Sequence, residues 1–228
     1  MENINSHPYY PLDAQINNYA PNDASVLSLI TTASVGVTAL LGATFLLSTW
    51  VQPSLSIANQ IAILWFVLSG TLHCFFEGYF MINHDHMVSA HDFFGQLWKE
   101  YALSDSRYLT SDTLVLCMET ITVLIWGPLC FGVAYSILYR HPLRHPLQII
   151  VCMAHLYGDT LYFATSLYDD YVHQRSYCRP EPYYFWVYYF FMNFIWIVVP
   201  AYYLHQSMKI ISKAMSQFDA VSLSRKAQ

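Results

Sequence analysis

Charged side chains are scarce in this chain: ten Lys and Arg and fifteen Asp and Glu make up 11% of its 228 residues, against about a quarter in an ordinary soluble domain. With 55% of the residues hydrophobic and 17% aromatic, the shortage excludes a water-soluble globular class. From Ala24 to Phe76 there is no Asp, Glu, Lys or Arg. Basic clusters are absent as well, which excludes nucleic acid as a partner. The cysteines (Cys74, Cys117, Cys130, Cys152, Cys178) are odd in number and show no CxxC spacing, so neither a disulfide framework nor a zinc site is expected. They read as buried small hydrophobes. There is no nucleophile–base pair, no Gly-rich phosphate loop and no metal-ligand set, and no cofactor is expected. His84-Asp85-His86 has the look of a metal tripeptide, but alternate residues of an exposed loop are not expected to ligate. The first 23 residues are polar and proline-bearing with no apolar core, so no cleavable leader is expected and the first apolar helix would direct insertion.

What the chain does have is long apolar runs. The uncharged stretch is too long for one membrane span and fits two, broken near residues 48–54, where Pro53 removes a backbone donor and Trp50 suits an interface. These spans are expected at about 26–48 and 57–83. A third, Thr113 to Leu138, is 26 residues long, enough to cross a bilayer, with a kink expected at Pro128. A fourth is expected at about 147–168 after a tight turn at 140–146, and a fifth at about 183–211. The connection 84–112 holds an expected interfacial helix and polar turn (93–108), lying along the membrane surface or folded back over a cavity. The expected fold is an all-α integral membrane protein, five transmembrane helices enclosing a membrane-facing ligand cavity. Its parts would be a polar tail at 1–25, the helical domain at 26–211 and a polar tail at 212–228. The lipid bilayer is a necessary partner. Lys209, Lys213, Arg225 and Lys226 make the C-terminal side richer in positive charge, six residues against four, which favours a cytosolic C-terminus.

Polar groups at membrane depth are expensive and mark function by default. Glu119 is the single ionisable group in its span, and Thr122 shares its face three residues on. His73 and Glu77 are spaced i,i+4, so each can partner the other. His155 and Asp159 repeat that spacing, with Tyr162 one turn further, and read equally as a structural knot or part of a site. Asn193 and Trp196, spaced i,i+3, put an amide and a large π-face on one side of the last helix. Carboxylates, an imidazole, an amide and an indole among apolar walls suit a large apolar ligand on which positive charge is present or forms. The chemistry that fits is acid–base isomerisation of an alkene.

The blocks HPYYP, APND, HCFFEGYF, QLWKEYALSDSRY, LCMETITVLIWGPL, RHPLR, LYGDTLYF and YFWVYYFFMNFIWIVVP occur in that order over residues 7 to about 200. In them the chain resembles the emopamil-binding proteins of the EXPERA superfamily. The resemblance implies a five-helix endoplasmic-reticulum enzyme that moves a sterol ring double bond from the 8,9 to the 7,8 position through a carbocation, with cationic amphiphilic amines as inhibitors. It also suggests a homodimer. Its functional residues carry over to His73, Glu77, Glu119, Thr122, Asn193 and Trp196. His73 and Glu77 would exchange the proton, Glu119 and Trp196 would stabilise the cation, and Thr122 and Asn193 would orient carboxylates or a water. Phe76, Met118, Tyr108, Asp159, Tyr188 and Phe194 are expected to contact substrate. The tail after Lys209 is shorter in lysines than the resemblance leads one to expect, and it assigns no role to His155. Two alternatives stand: a non-catalytic sterol- and amine-binding receptor of the sigma-2 type, and an isomerase acting on another polycyclic terpenoid.

Overall fold

A computed structural model describes residues 7–226. Among the described residues all regular structure is helical. Helix α1 is Val26–Val51, α2 is Ile57–Asn83 and α4 is Thr113–Leu138; α3 is the short Phe93–Tyr101 and α5 is Arg144–His173. Helix α6 begins with a wide-turned stretch, Tyr184–Phe191, and continues as Met192–Lys226. Side chains cap the starts: Ser25 accepts from the Ser28 amide, Ser56 from Asn59, Asp92 from Gly95 and Asp112 from Val115. Each satisfies an amide the helix itself leaves free.

Some boundaries differ from expectation for simple reasons. Helix α5 starts at Arg144 rather than 147, because Pro146 falls in its first turn, where a missing N–H costs nothing. It runs on to His173, where Gln174 adopts a left-handed conformation (φ 53°) and ends it. Helix α6 passes its expected end at 211 without a break and carries Pro200 inside it.

Four helices (α1, α2, α4 and α6) are long and apolar enough to cross a membrane. Helix α5, at 30 residues, is long enough, but its polar content sets it apart. On α1, Leu27 (76% exposed) and Leu46 (69%) are left uncovered by the described residues. Each Å² of such surface costs about 25 cal/mol in water, a cost that an apolar surrounding removes. The chain is a membrane protein.

Two apolar clusters hold the helices together. One joins Phe66 of α2, Cys130, Val133 and Ile137 of α4, Val151 and Cys152 of α5 and Tyr203 of α6. The other joins Phe80 of α2, Val115 of α4, Tyr162 of α5 and Tyr189 of α6 with Trp98 and Tyr108 from the connection. Every one of these four helices therefore passes from one apolar cluster to the other, and the residues between them form a separate layer.

The 93–108 segment forms a short helix and a turn whose charges are withdrawn from water. Lys99, Glu100, Asp105 and Arg107 are all buried, and residues 7–25 pack on this segment with Tyr9, Ala14 and Ile16 in the core. Partners make this tolerable. Lys99 Nζ donates to the Ala20 carbonyl at 2.7 Å, Glu100 accepts from Tyr188 Oη at 3.0 Å, and Asp105 receives Arg107 through Nε at 3.0 Å and a second nitrogen at 2.6 Å. Burial opposes the Arg107 charge, yet Asp105 outweighs it and holds the guanidinium's pKa above its ordinary value.

Candidate active site

The layer between the two apolar clusters contains one polar pair from each of four helices: His73 and Glu77, Glu119 and Thr122, His155 and Asp159, Asn193 and Trp196. Two of the helices widen to an i→i+5 repeat at this level, over Leu72–Glu77 in α2 and Thr122–Trp126 in α4, and α6 does so just before it, over Tyr184–Phe191. Such turns re-aim side chains and recur at functional sites. In α4 the widened stretch sits directly before Gly127 and Pro128, whose ring cannot donate, so a change of pitch stands where a kink was expected. At the end of the widened stretch in α2, the Phe76 carbonyl accepts the Trp98 indole N–H at 2.9 Å.

Helices α2 and α4 pack closely here because Gly127 has no side chain. A Cβ at that position would sit 2.5 Å from Cys74 Sγ and 3.2 Å from His73 Cβ. The crossing seats His73, only 4% exposed, with its Nδ1 2.8 Å from both oxygens of Glu77. The expected i,i+4 pair is thus a direct contact. Its carboxyl is the more accessible half, 17% exposed in the side chain against 5% for the imidazole.

Glu119 lies close enough to Glu77 and Asp159 for their charges to act on it. Tyr108 donates its hydroxyl to Glu119 Oε1 at 3.0 Å. Burial, and then the charge of Glu119, push the Tyr108 phenol well above its usual pKa, so it remains a donor.

The remaining expected residues are placed as follows. Thr122 donates to the carbonyl of Met118 on its own helix at 2.9 Å and bonds no carboxylate. Asn193 Nδ2 donates to Tyr101 Oη at 3.0 Å and to the Tyr189 carbonyl at 2.6 Å. Tyr101 packs against Tyr108 with ring centroids 5.6 Å apart, which links the amide to the Glu119 side of the layer. Trp196 faces Trp65 of α2 at 5.3 Å, and its indole N–H is buried without a partner. Of the expected substrate contacts, Asp159 is in the layer, with one oxygen buried and unpartnered, and Tyr108 borders it from the neighbouring cluster. Met118 reaches toward Gly158 of α5. Phe76 stacks on Trp98 at 4.2 Å, Tyr188 is engaged with Glu100, and Phe194 stacks on Phe190 at 5.0 Å. Phe194 also lines an outer apolar groove of about 300 Å³ with Phe163, Phe185 and Trp186, whose walls include none of the six residues expected to be catalytic.

His155, left open between knot and site, bonds across to α2: its Nε2 is 3.0 Å from Nε2 of His73. Cys130 Sγ is 3.9 Å from the same nitrogen. Sequence spacing carries no signal for this meeting, because the three residues lie on three helices. Tyr101 and Trp65 were likewise missed, since an aromatic in an aromatic-rich chain reads as packing.

The sequence model of EBP, described as EXPERA (EXPanded EBP superfamily), matches residues 93–207. The chain is 34% identical over 223 residues to the 3-beta-hydroxysteroid-Delta(8),Delta(7)-isomerase of Cavia porcellus, covering 97% of this chain and 96% of that one. It is 36% identical over 214 residues to the protein of the same name from Rattus norvegicus, covering 93% and 92%. Isomeliandiol synthase of Melia azedarach is 34% identical over 144 residues, 63% of this chain and 65% of that protein.

Proposed function

The chain belongs to the EXPERA family, and on that premise we propose that it is a sterol Δ8–Δ7 isomerase, an enzyme that transposes a ring C=C bond by adding one proton and removing another. The observation that carries the reading is the His73–Glu77 contact at 2.8 Å beside a second carboxyl, Glu119, in a polar layer walled by apolar clusters. Near full-length similarity to proteins named for that reaction supports it. The partial match to a plant synthase leaves the terpenoid alternative on weaker ground.

Protonating the 8,9 double bond at C9 leaves a tertiary cation at C8; losing a proton from C7 then gives the 7,8 alkene. No proton is gained or lost overall. His73 and Glu77 act as the donating and accepting unit. Glu119 supplies the negative charge that offsets the cation, which counts for most where water is excluded, and the Trp196 ring adds a π-face. Tyr108 holds Glu119 in place. Asn193 orients Tyr101, and Thr122 steadies the widened turn of α4. Helix α5 is the fifth span. The enzyme resides in the endoplasmic reticulum membrane with its C-terminus in the cytosol and assembles as a homodimer. Cationic amphiphilic amines inhibit by imitating the cation.

The test is incubation of purified protein with a Δ8 sterol in D₂O, followed by chromatography and mass spectrometry. Conversion to the Δ7 sterol with one deuterium gained is expected. Tight binding of a cationic amine without turnover would replace the reading with a receptor, and absence of both would point to a different substrate.

A further inference from the structure

The gap between His73 and His155 raises a question of what lies in it. His73 Nδ1 is bracketed by both oxygens of Glu77 and therefore carries its N–H there, which leaves a lone pair on Nε2. That lone pair faces His155 Nε2 at 3.0 Å. The other nitrogen of His155, Nδ1, is buried without any partner. Two imidazole nitrogens at this distance share either a hydrogen, as a neutral N–H···N bond, or a metal ion. Beside them lies Cys130, which is fully buried, and the donor atoms of His73, His155 and Cys130 all fall within 4.8 Å of one another. Zinc takes nitrogen at about 2.0–2.1 Å and sulfur at about 2.3 Å, which puts donors on a tetrahedron roughly 3.3–3.7 Å apart. The observed 3.0 Å for nitrogen to nitrogen and 3.9 Å for sulfur to nitrogen bracket that spacing.

We propose that His73, His155 and Cys130 form a binding site for a thiophilic closed-shell cation such as Zn²⁺, and that its occupation blocks isomerisation. On binding, Cys130 releases its proton to solvent and coordinates as thiolate. Glu77 stays on the far nitrogen of His73, the carboxylate–histidine–metal arrangement that orients ligands in metal sites. Thiolate and carboxylate together neutralise the two positive charges, so no net charge is left in a low-dielectric layer. The fourth position is left for water. Glu77, the more exposed member, marks the side from which the ion enters. An ion on Nε2 ties up the imidazole that exchanges the proton. The inhibitory half rests on the isomerase reading; the binding half does not.

The experiment uses full-length protein without a polyhistidine tag, stripped with chelator and then titrated with Zn²⁺ against a competing dye. One Zn²⁺ per chain is expected, with affinity at least about tenfold weaker in C130S and in H155Q. Co²⁺ in place of Zn²⁺ should give a thiolate-to-cobalt charge-transfer band that C130S abolishes. Each variant's Δ8-sterol turnover with Zn²⁺ is compared with its own metal-free rate, and only wild type should be inhibited at low metal concentration. No bound metal, or equal binding in wild type and both variants, overturns the site. Site-specific binding with unimpaired turnover overturns the inhibitory half. Site-specific binding in a protein that never isomerises a Δ8 sterol upholds the site and refutes the isomerase reading.

Discussion

Arg107 with Asp105, and Glu119 with Glu77, are two sets of charged groups the fold withdraws from water, and it treats them in opposite ways. Around Arg107 every charge meets its opposite: Asp105 takes two guanidinium nitrogens, and Thr165 accepts from another at 2.9 Å. In the layer between the apolar clusters, carboxyl groups from three helices are gathered together. An oxygen of Asp159, a nitrogen of His155 and the indole N–H of Trp196 have no partner. Opposite charges that satisfy one another hold a fold in place. Like groups held together with polar atoms left over need a reason outside folding, and a reacting ligand is one. On this contrast we propose that the segment 93–108 is scaffold and that the layer is where the chemistry takes place.

Substitutions in each region should separate the two roles. His73→Gln keeps a polar side chain of similar reach but cannot exchange a proton. Turnover should fall about 10²–10⁴-fold while the thermal unfolding midpoint stays near wild type; a stability loss without a rate defect would make His73 scaffold. Arg107→Ala should do the reverse. It leaves Asp105 buried and unpaired at a cost of about 3–5 kcal/mol, seen as a large drop in thermal midpoint and yield, with unchanged turnover per folded molecule.

Tyr108→Phe tests the boundary between the regions, since this residue belongs to the segment 93–108 and donates to Glu119. Losing a hydrogen bond to a charged group amounts to about 1.5–3 kcal/mol, and steady-state kinetics should show it in turnover more than in stability. The smallest effect belongs to Asp92, which caps α3 and accepts from Tyr79 Oη at 2.6 Å. Burial pushes its carboxyl up, but the Tyr79 hydroxyl and the Gly95 amide outweigh that and hold its pKa below the ordinary range. Its contribution is therefore present at neutral pH and lost as pH falls below about 4. Asp92→Ala should lower stability at neutral pH by about 0.5–2 kcal/mol, with the difference from wild type shrinking in acid.

Much of the layer could be read in the residues themselves. An i,i+4 pair such as His73 and Glu77 projects on one face whatever the helix packs against, and a carboxyl in an apolar span such as Glu119 has few harmless explanations. What could not be read depends on how helices cross. Gly127 sets the depth of the α2–α4 crossing, and with it the meeting of His73, His155 and Cys130; no local pattern encodes that register. The burial of Lys99 was hidden for the same reason. A charged residue in a connecting segment reads as solvated until a strap such as residues 7–25 is known to cover it. The bond of Tyr188 to Glu100 could not be read either, because one aromatic in an aromatic run cannot be assigned a face from spacing alone.

The most direct test of Glu119 as the charge that stabilises the cation is its replacement by Gln, which keeps the shape and the Tyr108 contact and removes the charge. The rate of Δ8-to-Δ7 sterol conversion by folded, purified Glu119→Gln should fall by about 10²–10³-fold relative to wild type. Conversion at the wild-type rate would contradict the electrostatic role.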